Sequence, residues 1–334
     1  METTNKIKIG LVGVGKLGAM HAASLAQNPQ ADLIGVFDSD VERCRTIAEK
    51  HRCTAFASVD ALLEEVEAVG VIVPTTLHTP MALQALSQGK PVFVEKPIAA
   101  TVAEAEQLVA AARKCKTLLQ VGHIERFNPA IRALDGRPIA PRFIESHRLA
   151  PFDPRGTDVA VVLDLMIHDI DIILSLAQSE VKDIHANGVA VVSDEVDIAN
   201  ARIQFANGCV ANMTASRISQ RKMRKMRLFQ RDAYISIDFL QRLTEVFQLK
   251  EGDSDLPSTV ILGQIEKGSR KRNILYEQAE IPEGDAMTAE WCSFFDAVRR
   301  QSKPKVSGED GLNALRVAER ITGIMRQQQS EALL

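Results

Sequence analysis

Through the first 120 residues or so, short apolar runs alternate with stretches whose apolar positions recur at helical spacing. Residues 7–12 form a β-branched run, followed by helical spacing over 17–27. A second run at 33–37 precedes helical spacing at 41–50, a third at 69–73 precedes 80–88, and a fourth at 92–94 precedes the alanine-rich 102–113. Residues 118–121 close the series. Strands that are apolar throughout and separated by helices belong in a parallel sheet covered on both faces. The pattern predicts a doubly wound α/β domain over residues 1–124, with the ligand at the carboxyl ends of the strands.

From residue 125 the period changes. Residues 198–205 alternate, with Ala199, Ala201, Ile203 and Phe205 on one face. Asn207-Gly208 supplies a hairpin turn, since both residues tolerate positive φ. Residues 210–217 alternate again through Ala211, Met213 and Ala215, and Ile235, Ile237 and Phe239 continue the period of two. Such strands cover one face of a sheet and leave the other more polar. With two helices at 286–300 and 310–327, residues 125–334 are predicted to form an α+β domain around a large open mixed or antiparallel sheet. An uncovered sheet face with exposed apolar positions points to a homodimer or homotetramer. Residues 251–273, rich in Gly, Ser, Asp and Lys, are the expected flexible segment.

At 334 residues the chain has room for about two domains, and 46% hydrophobic residues suffice for full cores. With 40 Lys+Arg against 43 Asp+Glu, the charge balance calls for neither nucleic acid nor an anionic membrane as a partner. No apolar run nears the ~18 residues of a membrane span. The polar N-terminal residues lead into a strand without an apolar signal-peptide core. Cys44, Cys53, Cys115, Cys209 and Cys292 are odd in number and scattered, which fits free thiols in a reducing compartment. A cytoplasmic protein is expected.

The first run ends in Gly13-Val14-Gly15-Lys16-Leu17-Gly18, a G-x-G-x-x-G between a strand and a helix. Gly13 permits the tight turn, Gly15 lets backbone approach a pyrophosphate, and Gly18 lets helix and strand pack closely. The helix N-terminus, with Lys16 and Leu17, offers N–H groups to the phosphates. Asp38, 20 residues past Gly18, ends the second run, where a carboxylate meets the adenosine ribose diol. Asp40 adds negative charge and Arg43 lies at least a turn further on, so NAD is expected over NADP.

Two features look chemical. Lys96 follows the fourth strand in Glu95-Lys96-Pro97, where its ammonium can hold a substrate oxygen; taken alone, it is equally a surface lysine before a proline turn. Asp164, His168 and Asp171 lie four and three apart on the helix 161–177, hence on one face. Histidine is the natural proton acceptor for alcohol oxidation near neutral pH. A structurally bonded His or a metal pair are the alternatives, and no third ligand with convincing spacing accompanies them, so no metal is expected.

The segments GLVGVGKLG (10–18), VPTTLHTPMALQALSQGKPVFVEKP (73–97), VGHIERFNP (121–129) and DLMIHDID (164–171) together resemble the Gfo/Idh/MocA family of NAD(P)-dependent oxidoreductases. The resemblance implies hydride transfer at a secondary alcohol of a sugar or cyclitol. Lys96 then polarises the reacting oxygen, His168 accepts the proton and Asp164 orients the substrate or the His. It further implies a cis bond at Lys96-Pro97, cofactor-side positions for Thr75, Thr76, His78 and Glu95, and substrate-side positions for Arg126, Asn128 and Asp171. The family's glycine cluster before the Asp is replaced here by Val161-Val162-Leu163.

Seven basic residues fall within 217–231 (Arg217, Arg221, Lys222, Arg224, Lys225, Arg227 and Arg231). They read either as a solvated edge strand or as a diphosphate site built on Arg221, Arg224 and Arg227. This segment and ERFNP look more like the nucleotide-sugar branch of the family than its inositol branch. That likeness implies oxidation of the 3-hydroxyl of UDP-N-acetylglucosamine to a 3-keto sugar for lipid A-type amino-sugar synthesis. An inositol or free-sugar dehydrogenase, and a non-enzymatic NAD-sensing protein, are the alternatives; the pairing of Lys96 with His168 argues against the sensor. Besides Phe, only Trp291, Tyr234 and Tyr276 could stack on a base.

Overall fold

The computed structural model describes residues 6–153, 160–251, 259–267 and 270–332. It divides into two compact units, Met1–Phe127 with Gly284–Leu315, and Asn128–Glu283 with Arg316–Leu334.

In the first unit, strands and helices alternate: β1 (Ile7–Val12), α1 (Lys16–Gln27), β2 (Ala31–Phe37), α2 (Val41–His51), β3 (Thr54–Ala55), α3 (Val59–Glu65), β4 (Ala68–Val71), α4 (His78–Ser87), β5 (Val92–Glu95), α5 (Val102–Cys115) and β6 (Leu119–Gly122). The six strands pair in parallel in the order β3-β2-β1-β4-β5-β6. That is the doubly wound order whose strand ends form a dinucleotide crevice. Strands β1, β4, β5 and β6 are buried at every position but Lys8, while β2 is half-buried at Leu33, Ile34 and Phe37. Two short elements, β3 and α3, fall below the length at which periodicity shows.

The second unit contains α6 (Pro129–Arg132), β7 (Phe143–Leu149), α7 (Ile167–Ala177), β8 (Val181–Val189), β9 (Ile198–Phe205), β10 (Val210–Ser216), β11 (Met223–Gln230), β12 (Ala233–Asp238), β13 (Leu243–Lys250), β14 (Thr259–Lys267) and β15 (Arg270–Gln278). Its nine strands run in the order β14-β15-β13-β12-β11-β7-β10-β9-β8, and the sheet is mixed because β7 and β10 pair in parallel. One face is closed by Ile144, Ala201, Ile203, Ala211, Met213, Met226, Leu228, Ile235 and Ile237, all buried. Helix α8 (Ala286–Arg300) and the start of α9 (Gly308–Ala332) return to the first unit. The expected boundary at 124/125 therefore misses this return. Trp291, Phe294 and Phe295 of α8 are fully buried; Trp291 and Phe294 meet Phe93 of β5 at 4.4 Å and 6.2 Å between ring centroids.

Two local expectations need correction, and the hairpin expected at Asn207-Gly208 is found joining β9 to β10. Within 251–273, residues 259–267 and 270–278 form the antiparallel pair β14–β15, and 252–258 and 268–269 lie outside the described residues. The polar composition masked a strand carrying Val260, Ile261 and Ile265, which are β-branched. In the β9–β10 turn only Gly208 has positive φ, 84°; Asn207 instead bonds its neighbours, accepting from Cys209 N at 3.0 Å and donating to Ala177 O at 2.9 Å. The helix expected from residue 161 begins as a π-helical turn, Val162–Met166, before α7.

Helix α7 is pinned to the sheet by a buried ion pair: Arg148 of β7 donates to Asp169 Oδ1 through Nη2 at 2.7 Å and Nε at 3.1 Å. Val161 and Val162 are fully buried. They anchor the π turn in the core.

Candidate active site

In the first unit, every sequence-predicted cofactor residue lies at or after the carboxyl end of a strand. Gly13, with φ 91°, turns the chain after β1 where an added Cβ would lie 2.3 Å from Ile72 O. A Cβ on Gly18 would lie 2.1 Å from Gly13 O, so α1 can approach β1 this closely only as glycine. Gly15, at the N-cap of α1, faces open space, with no atom within 4 Å of where its Cβ would stand. No side chain caps α1 and its first turn holds no acid. Its N–H groups, Lys16 and the half-exposed Leu17 thus present an uncompensated positive helix end, the environment that suits a pyrophosphate.

Asp38 ends β2. Its Oδ2 accepts Val14 N–H at 2.8 Å and Arg43 Nε–H at 3.2 Å, and its Oδ1 accepts Asp40 N–H at 2.9 Å and Arg43 Nη2–H at 2.7 Å. Burial opposes the charged form, but the bonds from Arg43, Asp40 N–H and Val14 N–H outweigh it and hold the carboxyl below its ordinary value. The cap of α2 is Asp40, not Asp38. Although Arg43 stands a turn along α2, its side chain folds back over Asp38. All four lone-pair positions of Asp38 are occupied. Arg43, whose side chain is 44% exposed, is the donor free to yield to a ribose diol.

Thr75 and Thr76 form a 3₁₀ turn after β4, half-buried and exposed respectively. His78 is buried, its Nδ1 2.9 Å from Pro97 O and its Nε2 2.9 Å from Val73 O. It clamps this loop to the turn after β5, and burial lowers its pKa against the pull of those carbonyls. In that turn Lys96-Pro97 is cis, Lys96 is half-buried, and its N–H donates to Glu95 Oε2 at 3.0 Å. His123 follows β6 and is fully buried. Burial, then the positive charges of Lys96 and Arg126, push its pKa down to about 3, so it stays neutral. Arg126 donates to Lys305 O at 3.2 Å.

In the second unit, Asp164 lies within the π turn and is half-buried, as is His168, while Asp171 is buried. A π turn widens the ring of backbone bonds and displaces the side chains it carries, and such turns recur at functional sites. Asn128 is a helix cap: its Oδ1 accepts Ala130 N–H at 3.0 Å and its Nδ2 donates to Phe239 O at 3.3 Å. The basic strip is divided. Arg224 pairs in register with Arg148, on the sheet face toward α7. Arg227 lies on the opposite face, 3.1 Å from Glu145, and Arg221 precedes β11 in an exposed bend. Arg217 is buried against Asp197, and Lys225 pairs with Asp238 at 3.2 Å. Three arginines converging on one diphosphate is therefore not the arrangement found.

Residues 7–123 match the oxidoreductase family with an NAD-binding Rossmann fold, and residues 140–236 match the GFO/IDH/MocA C-terminal domain. The chain is 38% identical over 313 residues to UDP-N-acetylglucosamine 3-dehydrogenase of Acidithiobacillus ferrooxidans, covering 93% of this chain and 95% of the relative. The solved structure of that enzyme superposes with a TM-score of 0.85 over 96% of this chain and 98% of its own. The chain belongs to the Gfo/Idh/MocA family. A further member, myo-inositol 2-dehydrogenase of Thermotoga maritima, is 26% identical over 92% of this chain and 93% of its own. As a member of this family the protein is an NAD-dependent dehydrogenase, and the glycine turn, bare helix end and Asp38 are fitted to hold the dinucleotide. Among the described residues no helix is long and apolar enough to cross a membrane, and no group of three or more His, Cys, Asp or Glu could hold a metal ion.

Motif spacing singles out neither the buried His123 and His21 nor the fold-back of Arg43 onto Asp38. His21 is a fully buried polar residue one turn after Gly18 on the core face of α1. A lone polar residue on an apolar helix face was the signal available, since burying it demands partners. The geometry at Asp38 makes one expectation specific. Asp38→Ala frees the Arg43 guanidinium for a 2′-phosphate, so the NADP:NAD affinity ratio rises by about 10- to 100-fold. Adding Arg43→Ala abolishes most of that rise. Titration of both dinucleotides reads it, and tighter binding of NADP than NAD by the wild type contradicts the role given to Asp38.

Proposed function

We propose that the protein oxidises the 3-hydroxyl of UDP-N-acetylglucosamine to the 3-keto sugar. The observation that carries this reading is the 38% identity to an enzyme of that name along 93% of the chain, through both units. The inositol dehydrogenases fall to 26% at comparable coverage, or reach 33% over only 56% of the chain. Bound NAD supplies the hydride acceptor. Lys96 holds the reacting oxygen by its ammonium and stabilises the negative charge that develops there. His168 takes the hydroxyl proton, and Asp164 orients the substrate or the imidazole. Glu95, Thr75 and Thr76 flank the cofactor; Arg126, Asn128 and Asp171 serve the sugar. A 3-keto sugar is what an aminotransferase needs, so lipid A-type amino-sugar synthesis is the proposed use. The setting is cytoplasmic, in keeping with five free cysteines.

A homodimer or homotetramer through the uncovered sheet face completes the proposal. On that face Phe143, Phe229, Tyr234, Phe247 and Tyr276 run across five neighbouring strands with centroids 5.0–5.6 Å apart. Aromatic rings left partly exposed side by side favour burial against another subunit. Tyr234→Glu should therefore shift the sedimentation coefficient toward the monomer; a wild type that sediments as a monomer refutes the assembly.

The substrate is tested by NADH formation on a panel of UDP-sugars, free amino sugars and inositols; turnover confined to inositols rejects the nucleotide-sugar reading. Lys96→Ala and His168→Ala should each lower kcat by ~10²–10⁴-fold with NAD affinity nearly unchanged. His168→Ala should also flatten the rise in rate between roughly pH 6 and 8. That rise cannot come from His123, which burial keeps neutral. Near-normal turnover in both variants removes these assignments.

For the diphosphate, Arg224→Ala should raise the KM for UDP-N-acetylglucosamine by about 10- to 100-fold. Arg227→Ala should leave it unchanged, because its side chain is on the opposite face beside Glu145. Equal effects of the two variants would refute this division of the strip.

A further inference from the structure

The first unit holds a chain of hydrogen bonds that the dehydrogenase assignment does not use. Trp291 Nε1 of α8 lies 3.1 Å from His21 Nδ1 of α1, and His21 Nε2 lies 3.0 Å from Glu95 Oε1 at the end of β5. Trp291 and His21 are fully buried, and Glu95 is 8% exposed. An indole N–H can only donate. His21 Nδ1 must therefore present its lone pair, so the ring proton sits on Nε2 and is donated to Glu95. The tautomer follows from the partner. The other Glu95 oxygen accepts the N–H of Lys96 at 3.0 Å.

Packing leaves this arrangement no slack. The imidazole is 5.6 Å from the Phe93 ring and 5.6 Å, edge-on at 88°, from Trp291. A Cβ on Gly122 would stand 2.8 Å from Glu95 Oε1, so only glycine at 122 leaves the carboxylate where His21 meets it. The glycine-loop helix, the turn that carries Lys96 and the returning helix α8 are thereby joined through one imidazole. Both oxygens of Glu95 are oriented by these bonds.

We propose that His21, held in the Nε2–H tautomer by Trp291, is a positioning residue that aims Glu95 and, through the Lys96 N–H, the start of the lysine turn. The inference rests on Lys96 acting at the reacting oxygen. Its cleanest test splits the two bonds. In His21→Gln the side-chain amide reaches the Nε2 position, keeping the donor to Glu95 and losing the acceptor for Trp291. In His21→Asn the amide oxygen reaches only the Nδ1 position, keeping the Trp291 bond and losing the one to Glu95. His21→Asn should lower kcat with UDP-N-acetylglucosamine by about 10- to 100-fold, as small misplacements of reacting groups do, with NAD affinity within about threefold of wild type. His21→Gln should keep kcat within about threefold of wild type. It should still shift the emission of Trp291, the single tryptophan. Equal loss in both variants, or normal kcat in His21→Asn, overturns the proposal. Nitrogen-15 NMR of the wild-type histidines reads the tautomer without substrate and without a variant that must fold: a protonated His21 Nδ1 overturns it too. If the wild type proves inactive on the sugar panel, the functional reading fails while this spectrum still decides the tautomer.

Discussion

Helix α1 can lie where it does because two residues have no Cβ. At Gly18 a side chain would collide with Gly13 O at 2.1 Å, and at Gly13 one would collide with Ile72 O at 2.3 Å. This close approach sets the rest of the first unit. It leaves the N-terminus of α1 uncapped at the end of β1, where its N–H groups can face phosphate oxygens. It also brings the residue one turn further, His21, into the core against Phe93 and within bonding distance of Glu95. The dinucleotide-binding turn and the lysine turn are thus parts of one packed arrangement, joined through an imidazole.

Electrostatics then separate the roles of groups that look alike in sequence. His78, His123 and His21 are all buried, yet each is engaged differently: His78 between two backbone carbonyls, His123 beside the Lys96 and Arg126 charges, His21 between an indole and a carboxylate. Asp38 keeps its charge despite burial because backbone N–H groups and Arg43 bond to it. In the second unit the same logic disperses the basic strip. Arg217 and Lys225 are ion-paired with Asp197 and Asp238, and Arg224 and Arg227 diverge to opposite faces because neighbours an odd number apart on a strand must.

Much of this was legible along the chain. Apolar runs between helical stretches specified the parallel sheet, since strands buried on both faces leave no polar positions. The glycine spacing and Asp38 stand at the strand ends of the NAD-binding fold, and the segments that carry the lysine turn and the Asp164–His168 pair pointed to the family by motif. Strands β14 and β15 were hidden by polar composition, and β3 by its two-residue length. The π turn at Asp164 was hidden because a one-residue change in helical phase leaves no periodic trace in so short a segment.

What the sequence by itself determined is therefore local: which segments are strands, where backbone must lack a Cβ, and which residue types stand at strand ends. Only the tertiary structure decided which of these residues meet. Trp291 lies 270 positions from His21 and bonds to it. Arg43 turns back on Asp38, and α8 returns to the first unit after the whole second sheet has been threaded. Periodicity and spacing reach across a few turns of one element. The partners of a buried polar group are chosen by packing between elements distant in sequence, where desolvation obliges every donor to find an acceptor.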